Sequence, residues 1–431
     1  MSQPSPESFL ELALRCGAEA AEVFQSESLA RPVSFEANRL KQLETSQADG
    51  LALRLWRNGR PGLAVAYGAV EPQALVDRAL ALSDLNEPET IELTESAASQ
   101  DCPDLGRSVT VEQLVTWGKD SITQVRDRYG DVLCGAGFDC ETETTRLINS
   151  KGLDCRVTDT TLSGYLEVEW VRGDDFLNVS DGVVDRQTIN PQDLLQPVLQ
   201  RLDWAKENAE MDRGRVPVLL TAKAADLLWM TVQSALNGKQ VLEGASPWAE
   251  LVNQAIAASS FTLRQDPKSG PFSCPFDDEG SPTLARTFIE KGVLQGFYSD
   301  RTVGRALGTG TTGNGFRSLG SYPTPGLFNL IVTAGEQDLA GLINQMEEGL
   351  VLDQILGGGA GISGDFSVNV DLGYRVSKGQ IVGRVKDTMV SGNVYQLLKQ
   401  IVAFGSDGAW SGSCWTPSVL VDGLSVTGRS L

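Results

Sequence analysis

The stretch Phe276-Asp277-Asp278-Glu279-Gly280 sets three adjacent acids before a glycine. Asp300-Arg301 follows it, and the residues after that carry glycines at positions 304, 308, 310, 313, 315 and 320. Glycine destabilises helix and strand interiors and adjacent charges resist burial, so we expect a turn and a loop. Two interpretations are open: a solvated acidic turn beside a flexible loop, or a surface whose free backbone N–H groups hold an extended peptide.

Length and composition describe a soluble protein of several domains. The 431 residues exceed the size at which one hydrophobic core stops growing, so two or three domains are expected. Acidic residues outnumber basic ones by 56 to 36, and the net charge of −20 repels phosphate backbones, which disfavours nucleic-acid binding. We find neither an apolar run that could span a bilayer nor a secretion signal, so we expect a cytoplasmic protein without membrane contact.

The chain contains no histidine. A Ser-His-Asp triad, a Cys-His pair and a histidine-ligated zinc site are therefore excluded. The seven cysteines form no Cys-x-x-Cys motif, which argues against a zinc ribbon. We expect no metal in this chain, and acid–base chemistry would fall to carboxylates, lysine, tyrosine or a partner chain.

Residues 1–83 are predicted to form an N-terminal α+β unit with an antiparallel sheet. Pro6 favours the first turn of a helix, and an Asn58-Gly59 turn joins two strands of alternating apolar residues. A second helix begins at Pro72. Residues 84–109 are predicted to be an acidic linker, because positions 84–106 carry seven acids and neither lysine nor arginine.

A middle α+β unit is predicted at residues 110–212. Thr110 and Gln113 form a capping box at the start of a helix. Long strand-like segments follow, and Asn190-Pro191 precedes a second helix.

A sheet-rich domain is predicted at residues 213–431. An apolar strand at 216–220 leads to a helix that Thr221 would cap, and later helices are predicted near 338–348 and 392–404. The predicted fold class is therefore α+β, with α+β units in the N-terminal half and a sheet-rich C-terminal domain.

The order of several short motifs resembles the TldD/PmbA (TldE) family of peptidases. The motifs in the C-terminal half are the strand and helix at 216–228, Phe276-Asp277-Asp278-Glu279-Gly280, Gly292-Val293-Leu294, Thr312-Gly313-Asn314, residues 361–367, Pro417-Ser418-Val419 and Gly423-Leu424-Ser425-Val426. The N-terminal half adds Asn58-Gly59-Arg60 and Asn149-Ser150-Lys151-Gly152. The resemblance spans nearly the whole chain and rests on the joint order of these motifs.

The resemblance implies one of two sister types. TldD-like chains carry His-Glu-x-x-x-His on the helix after the apolar strand and bind a metal there with help from a late cysteine. In this chain that helix, residues 227–237, reads Leu-Leu-Trp-Met-Thr-Val-Gln-Ser-Ala-Leu-Asn. It has neither histidine nor glutamate, and Cys414 is not matched to the ligand cysteine. The resemblance therefore implies a PmbA/TldE-like chain without a cofactor, which pairs with a TldD-like chain that holds the zinc.

The acidic and glycine-rich segments form the predicted site. By resemblance they would hold a peptide or the partner through Asp277, Asp278, Glu279, Gly280, Thr312, Gly313, Asn314 and Arg317. We expect the three carboxylates to be exposed, so that they contribute to binding rather than to fold stability. A structural turn, a Ca²⁺ or Mg²⁺ site and an acid–base pair are the alternatives. Arg317 would meet a substrate carboxylate or pair with a surface acid.

A second glycine cluster, residues 357–361, does not have the ending of a phosphate-binding loop. It predicts either close backbone packing or a strand edge to which a peptide adds. Trp410 and Trp415 are predicted to be core or interface anchors.

Three functions are compatible with these features. The first is a non-metal-binding subunit of a TldD/TldE-type metallopeptidase that acts on small or unfolded peptides and forms a heterodimer with a TldD-like chain. The second is a homodimeric peptide-binding protein without catalysis. The third is a carboxylate-based hydrolase that is active alone, which requires two acids facing each other across a cleft.

Overall fold

The N-terminal half of the chain is built on one large sheet with helices packed on it. The structure is a computed structural model that describes residues 4–95, 99–272 and 274–428. The elements of this half are α1 (Pro6–Arg15), β1 (Ala20–Ala30), β2 (Val33–Glu36), β3 (Arg39–Leu43), β4 (Ser46–Arg57), β5 (Arg60–Tyr67), α2 (Pro72–Ser83), β6 (Gln100–Cys102), α3 (Val111–Arg128), β7 (Leu133–Asn149), β8 (Asp154–Arg172), β9 (Asp175–Asp185) and α4 (Gln192–Trp204).

This sheet runs across the boundary between the two predicted N-terminal units. Its strand order is β3-β2-β7-β1-β4-β5. Strand β8 pairs with β7 and so extends the sheet, and β9 and β6 pair with β8. The long strand β7 pairs antiparallel with β1, β2 and β8, so the segments at 1–83 and 110–212 share one sheet. Part of the predicted acidic linker is also in it, because β6 pairs parallel with β8.

Local signals placed the N-terminal helices and turns correctly. Helices α1 and α2 begin at Pro6 and Pro72, and the Thr110 hydroxyl accepts a hydrogen bond from the Gln113 N–H at 3.3 Å to cap α3. The turn between β4 and β5 has positive φ at Asn58 (54°) and Gly59 (70°), which that pair of residues tolerates.

The C-terminal half is rich in sheet, as expected. Its elements are β10 (Asn208–Ala209), β11 (Gly214–Leu220), α5 (Asp226–Leu236), α6 (Gly238–Leu242), β12 (Leu263–Gln265), β13 (Arg286–Glu290), β14 (Val293–Leu294), α7 (Arg301–Leu307), β15 (Gly315–Phe316), β16 (Thr324–Pro325), β17 (Leu330–Val332), α8 (Leu339–Asn344), β18 (Glu348–Leu356), β19 (Asp365–Ser377), β20 (Gln380–Val385), β21 (Met389–Asn393), α9 (Val394–Lys399), β22 (Ile401–Phe404), β23 (Ala409–Ser411), β24 (Cys414–Thr416) and β25 (Val419–Thr427). One sheet has the order β10-β20-β19-β18-β11-β25-β21, and a second has the order β14-β13-β12-β17-β24-β23.

Three predicted helices in this half have wrong boundaries. Helix α5 begins at Asp226 rather than after Thr221, because residues 222–225 form a turn. Helix α8 ends at Asn344. Helix α9 ends at Lys399, and the segment 401–404 that was assigned to it is strand β22, which pairs antiparallel with β25. Pairing with a distant strand overrides a local helical pattern there.

The two halves share a hydrophobic core. Leu194 and Val198 of α4 are fully or almost fully buried in one cluster with Leu219 of β11 and Tyr374 of β19. The Tyr374 hydroxyl also donates a hydrogen bond to the Arg201 carbonyl at 3.1 Å. Helix α4 therefore joins the N-terminal sheet to the larger C-terminal sheet. No helix in the described ranges combines the length and apolar character of a membrane span.

Candidate functional site

Asp277 lies inside the protein. Its side chain is 0% exposed, and Oδ1 accepts hydrogen bonds from the N–H groups of Glu279 (3.1 Å) and Ser281 (2.8 Å). Oδ2 accepts from the N–H of Gly315 at 2.9 Å. The expectation that this carboxylate is exposed is therefore wrong: its charge is solvated by backbone amides, although burial still raises its pKa above the usual value.

The next two acids bind the glycine-rich segment. Oδ2 of Asp278 accepts from the Arg317 N–H at 2.8 Å, and Oε2 of Glu279 accepts from the Arg301 N–H at 2.9 Å. Burial raises the pKa of Asp278 to about 6, and burial together with the nearby Asp277 charge raises the pKa of Glu279 to about 8. Both side chains are only half-buried, so ligand contact with them is still a prediction.

Thr312, Gly313 and Asn314 complete this network. The Thr312 hydroxyl donates to Asn314 Oδ1 at 2.7 Å, and Asn314 Nδ2 donates to Gln265 Oε1 at 2.7 Å. Gly313 has φ +71°, and a Cβ there would lie 2.3 Å from the Pro282 carbonyl oxygen, so only glycine fits. The structure thus brings the predicted site residues together. We call residues 277–280 with 312–317 the buried acidic turn.

Arg317 anchors the buried acidic turn to the N-terminal sheet. Its Nη1 donates to Oε1 of Glu22 at 2.6 Å, and the Arg54 Nε lies 2.9 Å from the same oxygen. The Arg317 and Glu22 side chains are 1% and 3% exposed, and the Arg317 guanidinium stacks 4.5 Å from the Phe24 ring centroid. The predicted pairing of Arg317 with a surface acid is wrong, because its acceptor is a buried acid of β1. Contact of Arg317 with a substrate carboxylate stays a prediction.

The burial of this ion cluster is reinforced by packing. Phe276 belongs to one hydrophobic cluster with Phe24, Ala52 and Leu147 of the N-terminal sheet. Burial alone would raise the pKa of Glu22, but attraction to Arg317 and Arg54 lowers it below the usual value. The buried acidic turn is therefore a contact between the two halves of the chain.

A groove runs along the solvent-facing side of α5. Its cavity of about 390 Å³ is lined by Met230, Gln233, Ser234, Asn237, Gln240, Tyr298 and Ile362. Met230 is 55% exposed, which is unusual for a methionine in a helix with an otherwise buried apolar face. The other two side chains from α5 in this groove are the amide of Gln233 and the hydroxyl of Ser234.

The second glycine cluster lies over α5. The Thr231 hydroxyl donates to the Ala360 carbonyl at 3.1 Å, and the Tyr395 hydroxyl donates to the Ile362 carbonyl at 2.6 Å. Residues 357–364 connect β18 to β19 as turn and coil. The predicted close backbone packing is wrong, because the glycines of this cluster are exposed and a Cβ on any of them would meet no atom closer than 3.9 Å. Residues 357–361 also lie in no strand, so the predicted strand edge is not observed in this cluster.

The residues around α5 do not fit a zinc ion. The groove-facing side chains of α5 contain no thiolate, imidazole or carboxylate, which are the ligands that zinc prefers. Cys414 is 1% exposed, and burial, with a smaller contribution from the charge of Asp226, raises its pKa to about 12. Its thiol therefore stays protonated at neutral pH. Within the described ranges, no three His, Cys, Asp or Glu residues are grouped as a metal site would need.

A larger cavity, which the sequence did not indicate, lies between the halves. It has a volume of about 850 Å³, with β9 and α4 on one side and residues 221–223 and the β23–β24 hairpin on the other. We call it the interhalf cleft. Because its walls come from segments far apart in the sequence, no local motif could have revealed it.

Both cations of the interhalf cleft are already bound within the protein. Nζ of Lys223 donates to the carbonyl and hydroxyl of Ser180, both at 2.9 Å, and to Oε1 of Gln354 at 3.0 Å. Burial lowers the pKa of Lys223 below its usual value. Arg201 pairs with Asp181 and, at 2.9 Å, with Asp353.

Comparison with known protein families and sequences gives two family matches and several similar proteins. The family description "PmbA/TldA metallopeptidase C-terminal domain" matches residues 213–428, and "PmbA/TldA metallopeptidase domain 1" matches residues 21–83. The metalloprotease PmbA homolog of Haemophilus influenzae is 23% identical over 97% of this chain and 94% of its own length. The metalloprotease TldD homolog of Buchnera aphidicola from Schizaphis graminum is 30% identical, but the match covers 48% of this chain and 46% of that protein.

The fold is also that of a solved structure. The crystal structure of TldE from Thermococcus kodakarensis superposes with a TM-score of 0.91 and 22% identity, over 98% of this chain and 99% of that one. The family match covers the entire sheet-rich half, and a separate match covers the first unit of the N-terminal half. The chain belongs to the PmbA/TldD family of metallopeptidases.

Proposed function

We propose that this chain is the non-metal-binding subunit of a TldD/TldE-type metallopeptidase that acts on small or unfolded peptides. The observation that carries the proposal is the surface of α5. At the helix where TldD-like chains have their metal motif, this chain presents Met230, Gln233, Ser234 and Asn237 to solvent. A TldD-like partner would supply the metal and the general base.

The groove along α5 suits a supporting role in peptide binding. Side-chain amides such as those of Gln233 and Gln240 both donate and accept hydrogen bonds, as a peptide backbone does. The flexible thioether of Met230 adapts to side chains of different shape. Cytoplasmic localisation belongs to the same proposal, since all seven cysteines are free thiols in the structure.

Reconstitution tests the proposal directly. The isolated chain should cleave no unstructured peptide, and adding a TldD-like chain from the same organism should restore cleavage that a chelator abolishes. After a chelator wash the isolated chain should retain no stoichiometric zinc by elemental analysis. About one zinc per chain, or chelator-resistant hydrolysis by this chain alone, would contradict the subunit role.

A homodimeric peptide-binding protein without catalysis is the second candidate. The interhalf cleft favours it, because that cavity is large enough for a ligand and needs no partner chain. A genome without a sister chain that carries His-Glu-x-x-x-His would support this candidate, and co-purification of such a chain from the native host would reject it. The carboxylate-based hydrolase has less support, since Asp277 and its neighbours bind backbone amides rather than face each other across a cleft.

A further inference from the structure

The interhalf cleft has the size of a ligand site. Its volume of about 850 Å³ lies within the range of ~300–1,000 Å³ that is typical of small-molecule pockets. A cavity of this size encloses a short segment of a peptide rather than a folded domain.

The cleft is electrically negative. Five aspartates line it, namely Asp181, Asp185, Asp193, Asp338 and Asp407, against the two cations Arg201 and Lys223. Five minus two leaves three formal negative charges at neutral pH. Because the Lys223 ammonium already donates three hydrogen bonds, and Arg201 pairs with Asp181 and Asp353, neither cation is available to an anionic ligand.

Half-buried aromatic rings accompany this charge. Trp204, Trp410 and Trp415 line the cleft, and the Trp410 ring meets Phe272 edge-on with centroids 6.4 Å apart. In the described part of the chain no acceptor binds the indole N–H of these three tryptophans. Aromatic faces attract cations, and free indole N–H groups can donate to the carbonyls of a peptide.

We propose that the interhalf cleft binds an arginine or lysine side chain of a peptide together with its neighbouring residues. The negative lining selects the positive charge, the aromatic rings cover the side-chain stem, and the indole donors meet the peptide carbonyls. The inference rests on the proposed peptide-processing function and names its substrate class, which is peptides with a basic residue. A bare metal ion is a poor alternative, since no three acids of the described chain converge as metal ligands.

Titration of the purified full chain with blocked peptides tests the inference. The probes are Gly-Leu-Arg-Leu-Gly and two versions with glutamine or glutamate in place of arginine, measured by isothermal titration calorimetry at low salt. The arginine peptide should bind about tenfold more tightly than the glutamine peptide, and the glutamate peptide should not bind measurably.

Two variants locate the binding in the cleft. Asp193→Asn should weaken binding of the arginine peptide by about three- to tenfold, and Trp410→Leu should weaken it by about tenfold. Asp77→Asn is the matched control, because both aspartates are exposed on helices and accept one hydrogen bond from a nearby side-chain amide, at 3.1 Å for Asp193 and 2.8 Å for Asp77. If Trp410→Leu does not fold, the surface change Asp193→Asn still decides the outcome.

Several outcomes would overturn the inference. They are equal affinity for the three peptides, no binding at all, unchanged affinity in Asp193→Asn, or spermidine binding as tightly as the arginine peptide, which would indicate a polyamine site. These failures are separate from failure of the subunit role. If a TldD-like chain restores cleavage but the arginine peptide does not bind in the cleft, only the proposed peptide site is rejected. If the arginine peptide binds in the cleft but cleavage is not restored, only the subunit role is rejected.

Discussion

The buried acidic turn and the interhalf cleft are both rich in carboxylates, yet the protein uses them in opposite ways. In the turn, Asp277 is fully buried and accepts three backbone N–H groups, and Glu22 neutralises Arg317. In the cleft, Asp193 is exposed, and the aromatic ring of Trp410 is only half-buried. Asp277 holds backbone amides of the turn inside the protein, whereas Asp193 lies at the solvent-facing rim of the cleft.

This difference separates a structural feature from a binding feature. A buried carboxylate whose lone pairs are occupied stabilises the fold through the groups that it holds, and removing it leaves those groups unpaired. A carboxylate at the rim of a cavity remains hydrated and contributes little to stability. Substitutions in the two regions should therefore give different combinations of stability and binding.

The largest effect is expected from Glu22→Gln. This change removes the charge that compensates Arg317, whose only side-chain hydrogen bond within the described ranges is to Glu22. Loss of one partner of a buried ion pair typically costs about 3–5 kcal/mol of unfolding free energy, which urea denaturation would measure. The matched control is Glu27→Gln on the exposed end of the same strand, which should change stability by less than about 0.5 kcal/mol. Equal effects of the two changes would mean that the ion cluster does not stabilise the contact between the halves.

A somewhat smaller loss is expected from Asp277→Asn. The oxygen of the asparagine side chain can accept from the backbone N–H groups of Glu279 and Ser281, but its NH₂ group would face the buried N–H of Gly315. An unsatisfied buried donor costs about 1–3 kcal/mol, and thermal unfolding would show it as a lower melting temperature. Asp278→Asn is the comparison, because its single backbone partner, the Arg317 N–H, can still donate to an amide oxygen. A larger loss in Asp278→Asn than in Asp277→Asn would contradict this description of the turn.

The third prediction concerns pH. The pKa of Glu279 is raised from 4.5 to about 8, so the folded state binds its proton more tightly than the unfolded state does. The contribution of Glu279 to stability is therefore fully present below pH 4.5 and is lost as the pH rises towards 8. The full pKa difference corresponds to about 5 kcal/mol, and because solvent screens this half-buried side chain we expect a loss of roughly 1–3 kcal/mol. Asp278 adds to the same trend between pH 3.8 and about 6.

Glu279→Gln should remove this part of the pH dependence. Glutamine keeps an acceptor for the Arg301 N–H but does not ionise. Denaturation curves recorded between pH 4.5 and 8 should show a smaller decline in unfolding free energy for the variant than for the wild type. Glu11→Gln, at an exposed position of α1, is the control and should decline like the wild type. Parallel curves for Glu279→Gln and the wild type would show that Glu279 does not titrate in this range.

The smallest effect on stability is expected in the interhalf cleft. Asp193→Asn should leave the unfolding free energy within about 0.5 kcal/mol of the wild type, because the side chain is exposed and accepts one hydrogen bond, from Asn190. Thermal unfolding alongside the peptide titration would check this. A loss of more than about 1 kcal/mol would place Asp193 with the structural acids and remove the contrast between the two regions.

The sequence by itself determined the features that depend on neighbours along the chain. Pro6, Pro72 and Thr110 placed three helix starts, and Asn58-Gly59 placed a hairpin, because proline, side-chain caps and positive φ act within a few residues. The sequence also showed that residues 227–237 contain neither histidine nor glutamate as a metal ligand, because residue types can be counted without a structure. Family membership followed from the order of such local motifs.

Tertiary structure alone decided what the acids do. Asp277 is solvated by the N–H of Gly315, 38 residues away, and Arg317 meets Glu22 across 295 residues. Whether a carboxylate is hydrated or enclosed depends on which distant backbone and side chains reach it, and the acidic pattern is the same in either case. For the same reason residues 401–404 form strand β22, where the sequence predicted a helix. The interhalf cleft could not be predicted from the sequence, because its walls come from segments that only the fold brings together.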